Sequence, residues 1–142
     1  MVEIRRIRKS DLPELAKQFC SIWKEHKEKQ VLKVWRRDLA KGVRGANLIA
    51  LEGGKKVGVV MTEKLRIEIS GAARITELFV EKGHRGKGIG SRLMKESLNA
   101  MKNAGMRNVS IMVSRKNKTA LALYRAAGFK DFRLLMLKKF TH

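Results

Sequence analysis

The chain has 142 residues and a mass of 16.2 kDa, enough for one domain over residues 1–142 and too little for a second core of ordinary size. Hydrophobic residues are 44% and charged residues 32%, which excludes wholesale disorder, and no apolar run nears the ~20 residues that cross a bilayer. A formal charge of +20, from 33 Lys and Arg against 13 Asp and Glu, attracts polyanions and repels cations, so it fits nucleic acid, a phosphorylated cofactor or an acidic protein surface. The single cysteine, Cys20, excludes an internal disulfide framework and a multi-cysteine zinc site. With no apolar leader after Met1, this points to the cytoplasm. No Pro/Gly/Ser linker or repeat divides the chain. Its charge is nonetheless uneven: residues 82–118 hold ten Lys and Arg against one Glu, whereas 46–81 hold five of each sign.

Ile4 to Lys9 alternates weakly as a strand and ends at Ser10-Asp11-Leu12-Pro13, where Ser10 or Asp11 caps a helix with Pro13 and Glu14 in its first turn. Leu15, Phe19, Ile22 and Trp23, then Val31, Val34, Trp35 and Leu39, recur at helical spacing, which places two helices or one broken helix over 11–41. Three short apolar strands follow: Leu48 to Leu51, Val57 to Met61, and Ile75 to Val80. Gly53-Gly54 makes the hairpin turn between the first two, and Gly71 a turn before the third. Residues 89–104 return to helical period and stop at Gly105, Val109 to Val113 alternates as a strand, and an Ala/Leu-rich helix over 118–127 stops at Gly128. Phe132, Leu134 and Met136 predict a last strand within 129–140. The order β-α-α-β-β-β-α-β-α-β is an α/β fold, a mixed sheet flanked by helices.

The segment Leu78-Phe79-Val80-Glu81-Lys82-Gly83-His84-Arg85-Gly86-Lys87-Gly88-Ile89-Gly90 runs from strand through a glycine-rich turn into a helix. Free amides at a helix start, with the helix dipole behind them, bind phosphate, and Arg85 and Lys87 add charge. No P-loop string exists, and Gly86-x-Gly88-x-Gly90 does not fit the dinucleotide fingerprint. Arg85, Gly88 and Gly90 do fit Arg/Gln-x-x-Gly-x-Gly/Ala.

At these residues the chain resembles the GNAT family of acetyltransferases, which use acetyl-CoA and release CoA. Asn117-Lys118-Thr119-Ala120 through Tyr124 to Gly128-Phe129 is similar to that family's Asn-x-x-Ala-x-x-x-Tyr-x-x-x-Gly-Phe, and Ile4 to Leu12 resembles its first strand and helix. The resemblance covers nearly the whole chain. It departs where Glu81-Lys82 replaces a proline common after the strand, and where Arg74 stands at the position of a catalytic Glu carried by some protein acetyltransferases.

The resemblance implies that amides and side chains of Arg85, Gly86, Lys87, Gly88, Ile89, Gly90 and Ser91 hold the pyrophosphate of acetyl-CoA, while Leu78, Phe79 and Val80 offer main-chain groups to its pantetheine arm. It implies that Tyr124 protonates the departing thiolate. Alternatively, Tyr124 only fills a helix–sheet interface. Asn117 either contacts the CoA arm or caps the helix it precedes. Glu77, in an otherwise apolar strand, takes a proton from the acceptor amine, holds that amine, or faces solvent. If it is the base, loss of activity on Glu77→Gln is expected to be largest at low pH. His26 and Trp35 line the acceptor side, or Trp23 and Trp35 are core. Cys20 is structural, and His84 and His142 lack metal-ligand spacing. The expected function is acetyl transfer from acetyl-CoA to a primary amine, a protein amino terminus or lysine favoured, by direct attack in a ternary complex. The alternatives are a small-molecule amine acetyltransferase and a basic nucleic-acid-associated protein of the same fold. No metal and no membrane partner is expected, and the chain is expected as monomer or homodimer.

Overall fold

The computed structural model describes residues 1–22, 27–65 and 71–141. Trp23, His26, Glu68 and His142 lie outside the described residues. The chain forms two compact units, Met1–Met112 and Val113–His142.

The first unit contains β1 (Val2–Arg6), α1 (Leu12–Ile22), α2 (Glu28–Lys41), β2 (Leu48–Glu52), β3 (Lys55–Lys64), β4 (Ala72–Val80), α3 (Ile89–Asn103) and β5 (Asn108–Ile111). The sheet order is β1-β2-β3-β4-β5, with antiparallel neighbours up to β4 and a parallel β4–β5 pair. Parallel neighbours need a crossover, and α3 supplies it. The two-residue turn between β2 and β3 uses Gly53 and Gly54 at φ +59° and +78°, the left-handed pair that a tight hairpin demands. Helix α3 stops as expected: Gly105 lies at φ +89°, and Met106 N–H donates to Met101 O at 3.0 Å.

One sheet face is covered by α1 and α2. Leu12, Leu15, Phe19, Val31 and Trp35 meet Ile49, Val59 and Met61 there, and the Phe19 and Trp35 rings contact edge to face at 4.9 Å. On the other face α3 buries Ile89, Leu93, Met94 and Met101. Gly58 lets it come close: a Cβ at that position would stand 3.0 Å from Leu93 Cδ1 and 3.2 Å from the Phe79 carbonyl. Because Gly58 is the register partner of Val80, this packing holds the start of α3 near the end of β4.

Asp11 does not cap α1 in the expected way. Its carboxylate instead accepts the Arg8 amide at 2.7 Å and a two-pronged contact from Arg5 at 2.8 and 2.9 Å. The Arg5 hydrogen bond is the main reason its carboxyl is held down at about 2. A depressed carboxyl stabilises the fold above its unfolded value and loses that contribution as pH falls toward 2. Asp11→Asn is therefore expected to cost about 1–3 kcal/mol at pH 7 by urea unfolding, with the difference from wild type closing near pH 2.

The second unit holds one helix, α4 (Lys118–Ala126). Asn117 caps it, its side chain accepting the Ala120 amide at 3.1 Å. At the other end Gly128 takes φ +97°, Phe129 N–H donates to Tyr124 O and Gly128 N–H donates to Arg125 O, each at 3.0 Å. The Phe129 ring meets the Tyr124 ring edge to face at 6.1 Å. The spacing Tyr124-x-x-x-Gly128-Phe129 is thus a helix stop with its apolar clasp. The strand expected within 129–140 is not formed: those residues carry no regular secondary structure. Phe132, Leu134 and Met136 alternate in sequence, but among the described residues no strand pairing is assigned to them.

Candidate active site

Strand β4 changes partner halfway along. Its first half, Ala72–Ile75, pairs with Asn108–Ile111 of β5, and beyond Ile75 its outer edge has no strand partner among the described residues. The opposite edge stays paired with β3, through a bulge: Met61 faces Glu77 but Thr62 faces Ile75, which leaves Thr76 as the extra residue. Glu81 N–H donates to Val57 O at 2.8 Å. By antiparallel alternation Phe79 and Glu77 then direct their amides at β3, and Leu78 and Val80 direct theirs at the open edge. The Val80 carbonyl fits this, since it accepts Arg85 Nε at 2.8 Å.

The turn after β4 continues that edge. Gly86 and Gly88 adopt φ +80° and +79°, and a Cβ at either would meet nothing within 4 Å, so backbone conformation rather than crowding requires glycine. Gly88 opens α3 with no side-chain cap, and the first amide to bond inside the helix is Arg92, to Gly88 O at 3.0 Å. The Ile89, Gly90 and Ser91 amides are thereby left for an outside acceptor. Arg85 lies 6.0 Å over the Phe79 ring. Lys87 and His84 both reach Glu52 at the end of β2, at 3.5 and 2.6 Å, and His84 is the main cause of the lowered Glu52 carboxyl. His84 thus braces the turn, and among the described residues no His, Cys, Asp and Glu cluster is arranged to hold a metal. A row of free amides, two cationic side chains and a bare strand edge fit a pyrophosphate joined to an amide-bearing arm.

Glu77 lies on the α1–α2 face, beside its register partner Met61. Trp35 is 2% exposed and belongs to the core, yet its indole N–H donates to the Glu77 carboxylate. Burial, reinforced by the charge of Asp38 and partly offset by that hydrogen bond, pushes Glu77 up to about 7. Asp38 is itself buried beside Arg37, at 3.6 Å, and its carboxyl is raised by burial. Asp38 was not singled out from sequence, although it falls seven residues after Val31 on the buried stripe of α2. Next to Glu77 the Thr76 hydroxyl is buried without a hydrogen-bond partner among the described residues.

Arg74, at the position of the missing catalytic Glu, pairs with Glu63 at 2.9 Å, and a guanidinium takes up no proton. The Cys20 thiol is raised by burial and then by Glu28, the opposite of an activated nucleophile. Leu78, Phe79, Val80 and residues 85–91 therefore come together in the first unit with Glu77 and Trp35. Asn117 and the half-buried Tyr124 lie in the second unit.

A strand left open along one edge and running into an amide-lined helix start defines an α/β protein suited to a phosphorylated, extended cosubstrate. Comparison with known proteins agrees. The acetyltransferase (GNAT) family profile matches residues 3–129, and the chain belongs to that family, whose cosubstrate is acetyl-CoA. An uncharacterised N-acetyltransferase of Methanocaldococcus jannaschii is 28% identical over 136 residues, covering 90% of this chain and 60% of that protein. The N-alpha-acetyltransferase MAK3 of Arabidopsis thaliana is 35% identical over 81 residues, 57% of this chain and 43% of that protein. The matches thus span 60% and 43% of the length of these two relatives. A solved structure of the aminoglycoside N-acetyltransferase AAC(6')-Iy with CoA superposes with a TM-score of 0.82 at 20% identity, over 98% of this chain and 95% of that one. At that identity the likeness shows the fold.

Proposed function

We propose that the protein transfers the acetyl group of acetyl-CoA to a primary amine, a protein amino terminus or lysine, by direct attack in a ternary complex. The observation that carries this reading is Glu77: a half-buried carboxyl raised to about 7, on the strand whose next residues leave one edge free. Acetyl-CoA supplies an acetyl thioester, its pyrophosphate held by the amides from Arg85 to Ser91 and its arm by the main chain of Leu78 to Val80. The Val80 amide polarises the acetyl carbonyl. An amine attacks only when neutral, and the ionised Glu77 carboxylate accepts its proton, directly or through water. Tyr124 returns a proton to the leaving sulfur, a phenol being acidic enough to serve a thiolate of pKa ~8.5.

The relative named for alpha-amino acetylation supports a peptide amine, as does a charge of +20, which disfavours free polycations at long range. The pairing of Asp38 with Glu77 favours a small cationic amine as the second reading. A CoA-release screen over amino-terminal peptides, lysine peptides, polyamines, amino acids and aminoglycosides decides between them. Release stimulated by peptides supports the first reading, and release only by polyamines or aminoglycosides replaces it with the second. On the acceptor so found, Tyr124→Phe is expected to lower kcat roughly a hundredfold with acetyl-CoA affinity kept. Unchanged kcat would return Tyr124 to its role as the partner of Phe129.

A further inference from the structure

Residues 82–88, between β4 and α3, are tied to the rest of their unit by few contacts. Their backbone bonds are local, His84 N–H to Glu81 O at 2.9 Å and Arg85 N–H to Lys82 O at 3.4 Å. Arg85 reaches back to β4, at the Val80 carbonyl and the Phe79 ring. Gly83, Gly86 and Gly88 have no side chain with which to anchor the segment. A stretch so loosely tied has several backbone conformations open to it. Amides that must meet one pyrophosphate together lose affinity to that freedom.

Among the described residues, the other side-chain ties of this segment converge on Glu52, the last residue of β2. Glu52 is in register with Val2 of β1 on one side and Lys55 of β3 on the other, so it stands on backbone fixed from both sides. One carboxylate oxygen lies 2.6 Å from His84 Nδ1 and the other 3.5 Å from Lys87 Nζ. An ionised carboxylate only accepts, so Nδ1 carries the proton in this contact. The two contacts are unequal. Lys87 is 51% exposed, and an ion pair so open and so long contributes little, whereas the His84 bond is short and half-buried. A negative charge beside a phosphate site opposes binding. The carboxylate is therefore explained by its hydrogen bond and not by its charge.

We propose that Glu52 is a positioning residue for acetyl-CoA: through His84 it clamps the turn to the end of β2 and so holds the amides that follow in one arrangement for the pyrophosphate. The inference rests on the reading of residues 85–91 as the pyrophosphate site. Glu52 itself touches no part of the cosubstrate in this account. The segment is fixed before the clamp, where Glu81 N–H donates to Val57 O at 2.8 Å, and after it, where Arg92 N–H donates to Gly88 O at 3.0 Å. His84 is the tie between those two points that reaches a strand other than β4 with a short bond.

Calorimetric titration of acetyl-CoA into the full chain tests this with four variants. Glu52→Ala and His84→Ala are each expected to raise the dissociation constant about tenfold, and the double variant no further, because both remove one clamp. Glu52→Gln keeps an oxygen that accepts from Nδ1 and loses only the charge, so its affinity should stay within about threefold of the wild type. That rescue keeps the test decisive whatever alanine does to the fold, since a loss of stability alone predicts no such split. Affinity unchanged or improved in Glu52→Ala, losses that multiply to roughly a hundredfold in the double variant, or a Gln variant as weak as the Ala variant overturns the proposal. Gly88→Val, titrated alongside, separates the two claims. A loss there with Glu52→Ala unaffected overturns this inference alone, and no loss in either overturns the pyrophosphate site with it.

Discussion

Gly88→Val is expected to raise the acetyl-CoA dissociation constant roughly 30-fold or more and to leave the sheet folded. Gly88 sits at φ +79°, where a side chain costs on the order of 1–2 kcal/mol, and it is the residue from which α3 starts. With nothing within 4 Å of the added Cβ, the core has no reason to give way, so the strain falls on the turn. A turn that relaxes to negative φ re-aims the Ile89 and Gly90 amides, and losing two well-placed donors to a phosphate is worth about 2 kcal/mol or more, the stated fold-change. Gly90→Ala separates binding from folding. Gly90 is not among the glycines at positive φ and lies inside α3, so alanine there should stabilise the helix by up to ~1 kcal/mol while its methyl group crowds the same phosphate. Melting temperature and acetyl-CoA affinity are expected to move in opposite directions. Calorimetric titration with affinity unchanged in both variants would remove the turn from the binding site.

Glu77→Gln is expected to lower kcat/KM for the amine roughly a hundredfold above pH 7 and very little below pH 6. Low pH does not exaggerate the defect, as the strand position alone implies, because burial raises this carboxyl to about 7. Below that value the wild type is protonated and has no more base than the variant. The wild-type rate should climb with pH through about 7, and that limb should be absent from Glu77→Gln. Stability should move the other way. A carboxyl whose folded value lies above its unfolded 4.5 contributes fully below 4.5 and loses that contribution as pH rises through about 7. The Gln variant keeps an acceptor for the Trp35 indole without the charge, so it should be more stable than wild type at pH 8, on the order of 1–3 kcal/mol, and equal to it near pH 4. A raised amine KM with kcat nearly kept would make Glu77 a binding group instead of a base.

Much of this was readable in the residues because the signals are local. Gly53-Gly54, Gly105 and Gly128 each mark a left-handed turn, and each turn is where it was expected. The turn from Arg85 to Gly90 announces its amides because glycines before a helical period have few other uses. What the sequence hid is set by partners far along the chain. Thr76 becomes a bulge only against Met61 and Thr62, and the open edge of β4 exists because β5 stops at Ile111. Glu77 owes its proton affinity to burial and to the charge of Asp38 on α2, against the opposing hydrogen bond from Trp35, and spacing within β4 cannot reveal either. Residues 129–140 alternate as a strand should, but alternation speaks for a strand only where a neighbour supplies hydrogen bonds.

In the proposed function the open edge of β4 and the start of α3 together hold acetyl-CoA. Amide hydrogen exchange on the full chain with and without acetyl-CoA tests it directly. Leu78 and Val80 on the strand, and Gly88 to Ser91 at the helix start, should slow together in the presence of acetyl-CoA and revert on its removal. Slowing confined to other segments, or no change at millimolar acetyl-CoA, would contradict the account.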